Sequence, residues 1–299
     1  MKSRSQAALA AMTLVETIIY AAMGCIVSLV SYSALRSSAV LAVKNTNLNR
    51  SHDDLRSAYD RLARELLSAN NVPTLVSATG ATVATGPAAG FSFDRNLGSP
   101  YLLGANPSAA SSIAATDSSV IVCFSTTSMS RTPIPKIGEI LIIPTPSGSI
   151  RARISNVSNA TAGVAANTLR VTLTFTAPLG KSMNWGANEP QTAKLIRPEA
   201  FIVIGSELRY YASFEPVPDL TNSANYKVLT DQISTMSGEQ TPFDVADFSG
   251  DKILTSTLQV RERQNAMWIK DDEANAFNTY FQLHVNLPSR LRPRTTVSL

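Results

Sequence analysis

The chain has 299 residues, of which 44% are hydrophobic and only 16% are charged, and its net charge is +4. The apolar content excludes an unfolded polyelectrolyte, and the low charged fraction, against about a quarter in soluble globular domains, indicates secretion or membrane contact. Two cysteines, Cys25 and Cys123, exclude a disulfide framework, and two histidines leave little for a zinc site or a histidine-based catalytic set.

A membrane-spanning helix is predicted directly after a short, polar and basic leader, residues 1–11. The run from Met12 to Leu35 contains a single charge, Glu16, and its last nineteen residues are uncharged. As an α-helix those nineteen residues are about 28 Å long, close to the thickness of the hydrocarbon core of a bilayer. The sequence therefore predicts one membrane span, residues 12–35.

Three interpretations of this span differ in what they make of Glu16. A secretory signal peptide has an apolar core of about 7–15 residues without an acid, whereas this core is longer and Glu16 interrupts its start. In a plain signal anchor, Glu16 has no role. In the third interpretation Glu16 is required, because a carboxylate at the centre of a bilayer costs about 2.5–3.5 kcal/mol and is normally paired.

If the chain is cut between Ala11 and Met12, the cut supplies a partner for Glu16. The new α-amino group of Met12 is largely a cation at neutral pH. The amine of one helix can then meet the Glu16 carboxylate of a staggered neighbouring helix, and such a charge pair sets the register between the two. Under this interpretation Glu16 is an assembly determinant.

The segment Ala11-Met12-Thr13-Leu14-Val15-Glu16 resembles the class III signal of type IV prepilins and type II secretion pseudopilins. In that family a prepilin peptidase cuts before the residue that corresponds to Met12 and N-methylates it, and the glutamate acts in assembly. The resemblance implies these roles for Ala11, Met12 and Glu16. Ala11 stands where the family has Gly, which predicts slower cleavage, and Ser33 stands where many major pilins have Pro, which fits a minor or pseudopilin-type subunit.

The resemblance also implies partners and a location. The partners are the prepilin peptidase, other pilin or pseudopilin subunits contacted through the N-terminal helix, and an inner-membrane assembly platform. The implied location is a single pass through the inner membrane, with the N-terminus cytoplasmic and the head periplasmic, before incorporation into a pilus or pseudopilus. Basic residues flank the span on both sides, so the positive-inside rule does not decide the orientation.

Residues 36–72 are predicted to continue the helix as an amphipathic half, so that one helix runs from Thr13 to Ala69. One apolar stripe at helical spacing consists of Leu48, Leu55, Tyr59, Leu62 and Leu66. The opposite, solvent-facing side is expected to hold the charged residues Asp53, Asp54, Arg56, Asp60, Arg61, Arg64 and Glu65. The run from Leu55 to Ala69 is similar to the corresponding helix of PilW-type minor pilins and J-type minor pseudopilins.

Residues 73–299 are predicted to form one β-rich globular head. The predicted strands are Phe91–Phe93, Val120–Ser125, Glu139–Ile143, Ile150–Ser155, Leu169–Thr176, Ala200–Ile204, Leu208–Phe214, Leu258–Arg261 and Tyr280–Leu287. Residues 144–148 are predicted as a hairpin turn, Val228–Met236 as a strand or a short helix, and Thr74–Gly90 and Gly104–Ser119 as surface loops or edge structure. The closing run Leu287–Arg294 also resembles the pilin-like members of the Verru-Chthon cassette proteins. The predicted fold class is α+β, with a long N-terminal helix packed on a mainly antiparallel, pilin-like head.

The sequence contains few residue patterns that are typical of catalysis, metal binding or nucleic-acid binding. His52 and His284 lack a nucleophile elbow, so we expect no catalysis and no cofactor. Asp244, Asp247 and Asp251 are predicted to form an acidic loop around Gly250, which is a weak calcium candidate without EF-hand spacing. A cluster formed by Arg290, Arg292 and Arg294 is expected to be a solvated tail, and nucleic acid is not an expected partner.

The sequence therefore predicts a non-enzymatic minor pilin or pseudopilin subunit. The alternative is a single-pass, membrane-anchored periplasmic binding or adhesion protein that does not polymerise.

Overall fold

The computed structural model describes the chain in seven stretches, residues 3–126, 132–146, 148–231, 233, 242–248, 251–260 and 279–286. The chain divides into two compact units, one made of residues 1–53 and 262–277 and the other of residues 54–261 and 278–299. A single long helix contributes its N-terminal part to the first unit and its last turns to the second.

This helix, α1, runs from Ser3 to Leu67 and has 65 residues. It begins earlier than predicted, since the leader is helical from Ser3, and it ends two residues before the predicted end at Ala69. The backbone amides of Ser68 and Ala69 each donate a hydrogen bond to the carbonyl three residues earlier, which tightens the end of the helix. The long N-terminal helix is therefore confirmed.

The second unit is built almost entirely of antiparallel strands. In chain order the strands are β1 (Thr74–Val76), β2 (Gly90–Leu103), β3 (Ser111–Ile113), β4 (Ser119–Ser125), β5 (Ile140–Thr145), β6 (Gly148–Val157), β7 (Thr161–Ala162), β8 (Thr168–Phe175), β9 (Met183–Trp185), β10 (Thr192–Ile204), β11 (Glu207–Tyr211), β12 (Lys227–Thr230), β13 (Phe243–Phe248), β14 (Asp251–Val260) and β15 (Thr279–Asn286). A short 3₁₀ turn, Ser223–Asn225, precedes β12. The α+β class is confirmed.

Two long strands, β2 and β10, pair along most of their length, from Leu102 opposite Thr192 to Gly90 opposite Ile202. At one end of this pair, β2 also pairs with β4 and β10 also pairs with β5. The remaining pairings β4–β8, β8–β6 and β6–β5 complete a ring of six strands. A closed ring leaves no free sheet edge, so this part of the head is a small β-barrel.

The barrel has its own core. Its buried side chains come from alternate positions of all six strands, and the small β3–β9 ribbon adds more. The members include Leu103, Val122, Leu141, Ile143, Ile154, Val171, Leu173, Leu195, Ile113 and Trp185. Small barrels are filled by side chains in this way, so the barrel is a packed module and not a channel.

At the other end of the β2–β10 pair the sheet stays open, in the order β1, β2, β10, β11 and β12. The last turns of α1 pack on its face together with side chains of β13 and β14, two strands of the three-stranded sheet β13–β14–β15. Leu55, Tyr59, Leu62 and Leu66 are buried in this second core, as the predicted helical stripe requires, while the side chain of Leu48 lies outside the described set. The Tyr59 hydroxyl also accepts a hydrogen bond of 3.2 Å from the Leu258 amide.

Most predicted strands are present. The predicted hairpin between β5 and β6 is present, but its turn is shorter than 144–148, because Pro144 and Thr145 belong to β5 and Gly148 begins β6. The ambiguous segment Val228–Met236 begins in the strand β12, and its residues 232 and 234–236 lie outside the described residues. Strands β2 and β10 are much longer than the predicted Phe91–Phe93 and Ala200–Ile204, and β3, β7, β9 and β13 were not predicted. The short strand β1 lies at a sheet edge inside a segment predicted as loop or edge structure.

Candidate functional site

Residues 14–43 of α1, called here the apolar half, present apolar side chains on all faces. Every residue from 14 to 39 is exposed. The exposed large apolar side chains are Leu14, Val15, Ile18, Ile19, Tyr20, Met23, Ile26, Val27, Leu29, Val30, Tyr32, Leu35, Leu41 and Val43. In the parts of the chain that the structure describes, α1 is the one helix long and apolar enough to cross a membrane. A helix that is apolar all round is typical of a membrane span, which supports an N-terminal anchor.

Glu16 lies in this apolar half, with its side chain exposed. The next acidic residue along the chain is Asp53, so the carboxylate is isolated in a long apolar surface. The Tyr20 hydroxyl lies one turn further on, 3.5 Å from Glu16 Oε1. Helical side chains lean toward the N-terminus, which explains why Tyr20 lies over the turn that carries Glu16. Sequence reasoning missed this neighbour, although the i,i+4 spacing was a usable signal.

The predicted cleavage point, between Ala11 and Met12, lies within α1. The backbone of Met12 therefore lies about one helical turn before that of Glu16. The side chains of Ala11 and Met12 are outside the described set. Cys25 is an exposed free thiol in the apolar half and Cys123 is a buried free thiol in β4.

Residues 54–67 of α1, called here the docked half, are held to the open sheet by charges as well as by the apolar stripe. Glu65 forms an ion pair of 2.9 Å with Arg95 of β2, and the Arg61 guanidinium lies 4.4 Å above the centre of the Tyr210 ring. The expectation that Arg61 and Glu65 lie on the solvent-facing side is therefore wrong. Both flank the apolar stripe and reach partners on the sheet.

A fully buried carboxylate, Glu199 of β10, lies at the centre of these contacts. It accepts a hydrogen bond of 2.7 Å from the Tyr210 hydroxyl and contacts the guanidinium groups of Arg197 at 2.9 Å and Arg95 at 3.6 Å. A buried carboxylate is tolerated when it is paired in this way. Burial, together with the neighbouring Glu199 charge, raises the pKa of Tyr210 to about 12. This network fixes the docked half and offers no reactive group.

A second charged cluster lies between two shallow grooves on the head. Arg151 donates to Asp94 at 2.6 and 3.0 Å and to Glu215 at 2.6 Å. The hydrogen bonds to Asp94 are the main cause of the raised pKa of Arg151. The grooves have volumes of about 420 and 320 Å³, and Arg151 and Glu215 line both. Among their described lining residues neither groove has a histidine, cysteine or lysine, so neither brings a nucleophile to a histidine base.

The other predicted site residues do not come together. His52 is partly buried on α1, and His284 is in β15, where its side chain is outside the described set. Asp244 and Asp247 lie in β13 and Asp251 begins β14, which pairs with β13, so these residues lie in two paired strands and not in the predicted loop; residues 249 and 250 are outside the described part of the chain. No group of three metal-ligating side chains occurs among the residues that the structure describes. The basic cluster at 290–294 lies outside those residues.

Comparison with protein-family models, with curated proteins and with solved structures found no match for this chain.

Proposed function

We propose that this protein is a structural, non-enzymatic subunit, a minor pilin or pseudopilin, that is assembled into a type IV pilus or a type II secretion pseudopilus. It is made as a prepilin, and a prepilin peptidase cuts it between Ala11 and Met12 and methylates the new amine. The apolar half of α1 holds it in the inner membrane, with the N-terminus cytoplasmic and the head periplasmic, until an assembly platform adds it to the filament.

One observation carries this proposal. A single helix combines an apolar half that is exposed on all faces, and that contains one isolated carboxylate, with a docked half that is fixed in the core of a β-rich domain. A plain anchor needs the apolar half but has no use for Glu16. A subunit that exchanges lipid for neighbouring helices needs both features, because the carboxylate sets the register while apolar faces pack.

The mechanism follows from the low dielectric of lipid and of a helix bundle. The amine of Met12 in one subunit approaches Glu16 of a neighbour, and the two charges neutralise each other where water is scarce. Helix-to-helix packing then replaces helix-to-lipid packing at little cost in apolar contact. Each head enters the filament with its helix, because the docked half of the helix is fixed in the core of the head.

The first test is Glu16→Ala. We expect cleavage and membrane insertion to continue, and incorporation into filaments to fall at least about tenfold, because an unpaired amine is left in the bundle. The measurement is the fraction of the protein that co-purifies with filament subunits. The matched control is Asp60→Ala, which removes an exposed carboxylate from the docked half of the same helix. Normal co-purification of Glu16→Ala would reject the assembly role.

The second test is the mass of the mature N-terminus, measured on protein from membranes with and without prepilin peptidase. We expect N-methyl-Met12 only when the peptidase is present. An intact Met1 start favours instead an anchored binding or adhesion protein that does not polymerise. A start near Ala39, at the weak small-x-small signal-peptidase site Ser37-Ser38-Ala39, indicates a secreted head and contradicts the whole proposal.

A further inference from the structure

The Tyr20 hydroxyl is placed beside Glu16 by the geometry of the helix itself. The two residues are four positions apart, and the hydroxyl oxygen is 3.5 Å from Glu16 Oε1. This is longer than a fully formed O–H···O bond of about 2.7 Å, and a small rotation of the exposed phenol closes the gap. Both side chains are exposed on the apolar half of α1, and the helical spacing alone brings them together.

We propose that Tyr20 is a positioning residue for the assembly carboxylate, in that its hydroxyl donates a hydrogen bond to Glu16 and holds it ready for an incoming amine. This inference rests on the proposed function, since it assigns a role to Tyr20 only through Glu16. It adds a second residue, outside the six-residue signal, to the assembly site.

The donor matters because of where the carboxylate lies. In water a phenol competes with solvent for a carboxylate, and one hydrogen bond changes little. In hydrocarbon there is no solvent donor, and an unpaired carboxylate loses its hydration with nothing in exchange. The helix already places Tyr20 beside Glu16, so this hydrogen bond requires only the ordering of two side chains and no ordering of the backbone.

The geometry leaves the carboxylate free to take a second partner. A carboxylate has two oxygens and about four acceptor positions, and Tyr20 approaches Oε1. Among the described side chains none is hydrogen-bonded to Oε2, which is available to the ammonium group of a neighbouring subunit. Tyr20 therefore fixes the orientation of the carboxylate without blocking the pair, which lowers the ordering cost that assembly has to meet.

The experiment compares Tyr20→Phe with Tyr32→Phe, each alone and in a Glu16→Gln background, using the full-length protein in cells that assemble filaments. Tyr32 is a matched control because it is an equally exposed tyrosine of the apolar half, three turns beyond Tyr20. Both variants keep the aromatic ring and lose only a hydroxyl. The readouts are the fraction incorporated into filaments and the mass of the mature N-terminus, which reports processing.

We expect Tyr20→Phe to lower incorporation about three- to tenfold, with unchanged processing and with no effect of Tyr32→Phe. In the Glu16→Gln background, Tyr20→Phe should add no further loss, because it acts through the carboxylate. Equal incorporation of Tyr20→Phe and Tyr32→Phe, with Glu16→Gln defective, overturns the role of Tyr20 and leaves the proposed function standing. Loss of the same size in both backgrounds also overturns it, since the Tyr20 hydroxyl then acts independently of Glu16. Normal incorporation of Glu16→Gln rejects the proposed function itself.

Discussion

The apolar half and the docked half of α1 belong to one unbroken helix and face opposite environments. In the apolar half every residue from 14 to 39 is exposed, and large apolar side chains occur on all sides. In the docked half Leu55, Leu62 and Leu66 are fully buried in one stripe, while Asp54, Arg56 and Asp60 face solvent. Along its length the same helix therefore changes from exposed on all sides to buried on one side.

The difference lies in the angular distribution of apolar residues and not in helix propensity. Apolar residues all round a helix match a medium that surrounds it, which is lipid or a bundle of similar helices. An apolar stripe matches a surface on one side, here the open sheet. Each half is therefore unsuited to the other's surroundings, and this predicts that similar substitutions have different effects in the two halves.

The largest effect is expected for two charges in the middle of the apolar half. Val27→Lys combined with Val30→Lys places two ammonium groups near the bilayer centre, at a cost of about 5–7 kcal/mol in insertion. We expect the protein to move from the carbonate-resistant membrane fraction to the soluble fraction or to be degraded. The measurement is the distribution of full-length protein after alkaline extraction of membranes.

The control makes the same chemical change on the head. Val164 and Val217 are also exposed valines, but they lie in the β-rich unit. Val164→Lys with Val217→Lys should leave the membrane fraction unchanged. If the double substitution in the apolar half is also without effect, that half does not enter lipid, and the comparison between the two halves fails.

Truncation of a leucine should change the free energy of unfolding by different amounts in the two halves. Leu62 is 0% exposed in the core under the open sheet, whereas Leu35 is 70% exposed in the apolar half. Leu62→Ala should destabilise the head by about 3 kcal/mol, because it removes buried methyl groups and leaves a cavity. Leu35→Ala should change head stability by less than about 0.5 kcal/mol. Denaturant unfolding of the full chain in detergent, followed by near-UV circular dichroism, measures both. Equal destabilisation would mean that α1 unfolds as one cooperative element with its apolar half.

The helix was predictable because both halves have strong patterns. A nineteen-residue uncharged run and a heptad-like stripe are signals that tertiary structure seldom overrides. The burial of Leu55, Tyr59, Leu62 and Leu66 follows directly from their spacing. Hairpins such as β5–β6 were equally predictable, since a Pro- and Gly-containing segment separates two β-branched runs.

The barrel was not predictable, because its closing strands contain residues that read as loop. Asp94 and Arg95 interrupt the apolar pattern of β2, and Arg197 to Glu199 interrupt that of β10. Arg197 pairs with Glu199 of the same strand. The other charges stay within strands because each finds a partner on another element: Asp94 pairs with Arg151, and Arg95 pairs with Glu65 and Glu199. Partners so distant in sequence are invisible to local patterns, so the length of β2 and β10 and the closure of the ring were missed.

The candidate site could be predicted in part, because some of its features are local in sequence. Glu16 stands out in the sequence as an isolated acid in an apolar run, and the structure keeps it exposed and isolated. Its neighbour Tyr20 is local and was overlooked because tyrosine is ordinary near a membrane interface. The acidic segment at Asp244 was misread as a loop, since the residues of β13 alternate too weakly to mark a strand.

The smallest effect is a difference in pH dependence, and it concerns a tyrosine under the docked half. Tyr210 lies beneath Arg61 and is hydrogen-bonded to buried Glu199, and burial raises its pKa to about 12. A phenol in the unfolded chain ionises near pH 10. Between about pH 10 and 12 the unfolded chain therefore loses this proton while the folded protein keeps it. The unfolded state then binds fewer protons, so the free energy of unfolding falls as the pH rises through this window.

Tyr210→Phe removes that dependence and keeps the ring under Arg61. Below pH 10 the variant should be less stable than the wild type by about 1 kcal/mol, because Glu199 loses a hydrogen bond. Above pH 10 its stability should fall less steeply, by an amount on the order of 2 kcal/mol across the window, so that the two curves approach or cross. Tyr32→Phe, in the apolar half, should run parallel to the wild type throughout. Since lysines and the other buried tyrosines titrate in all three proteins, only the differences between their unfolding curves measure Tyr210. Parallel curves for Tyr210→Phe and the wild type would show that the phenol ionises alike in the folded and unfolded chains, and that the docked half does not shield it.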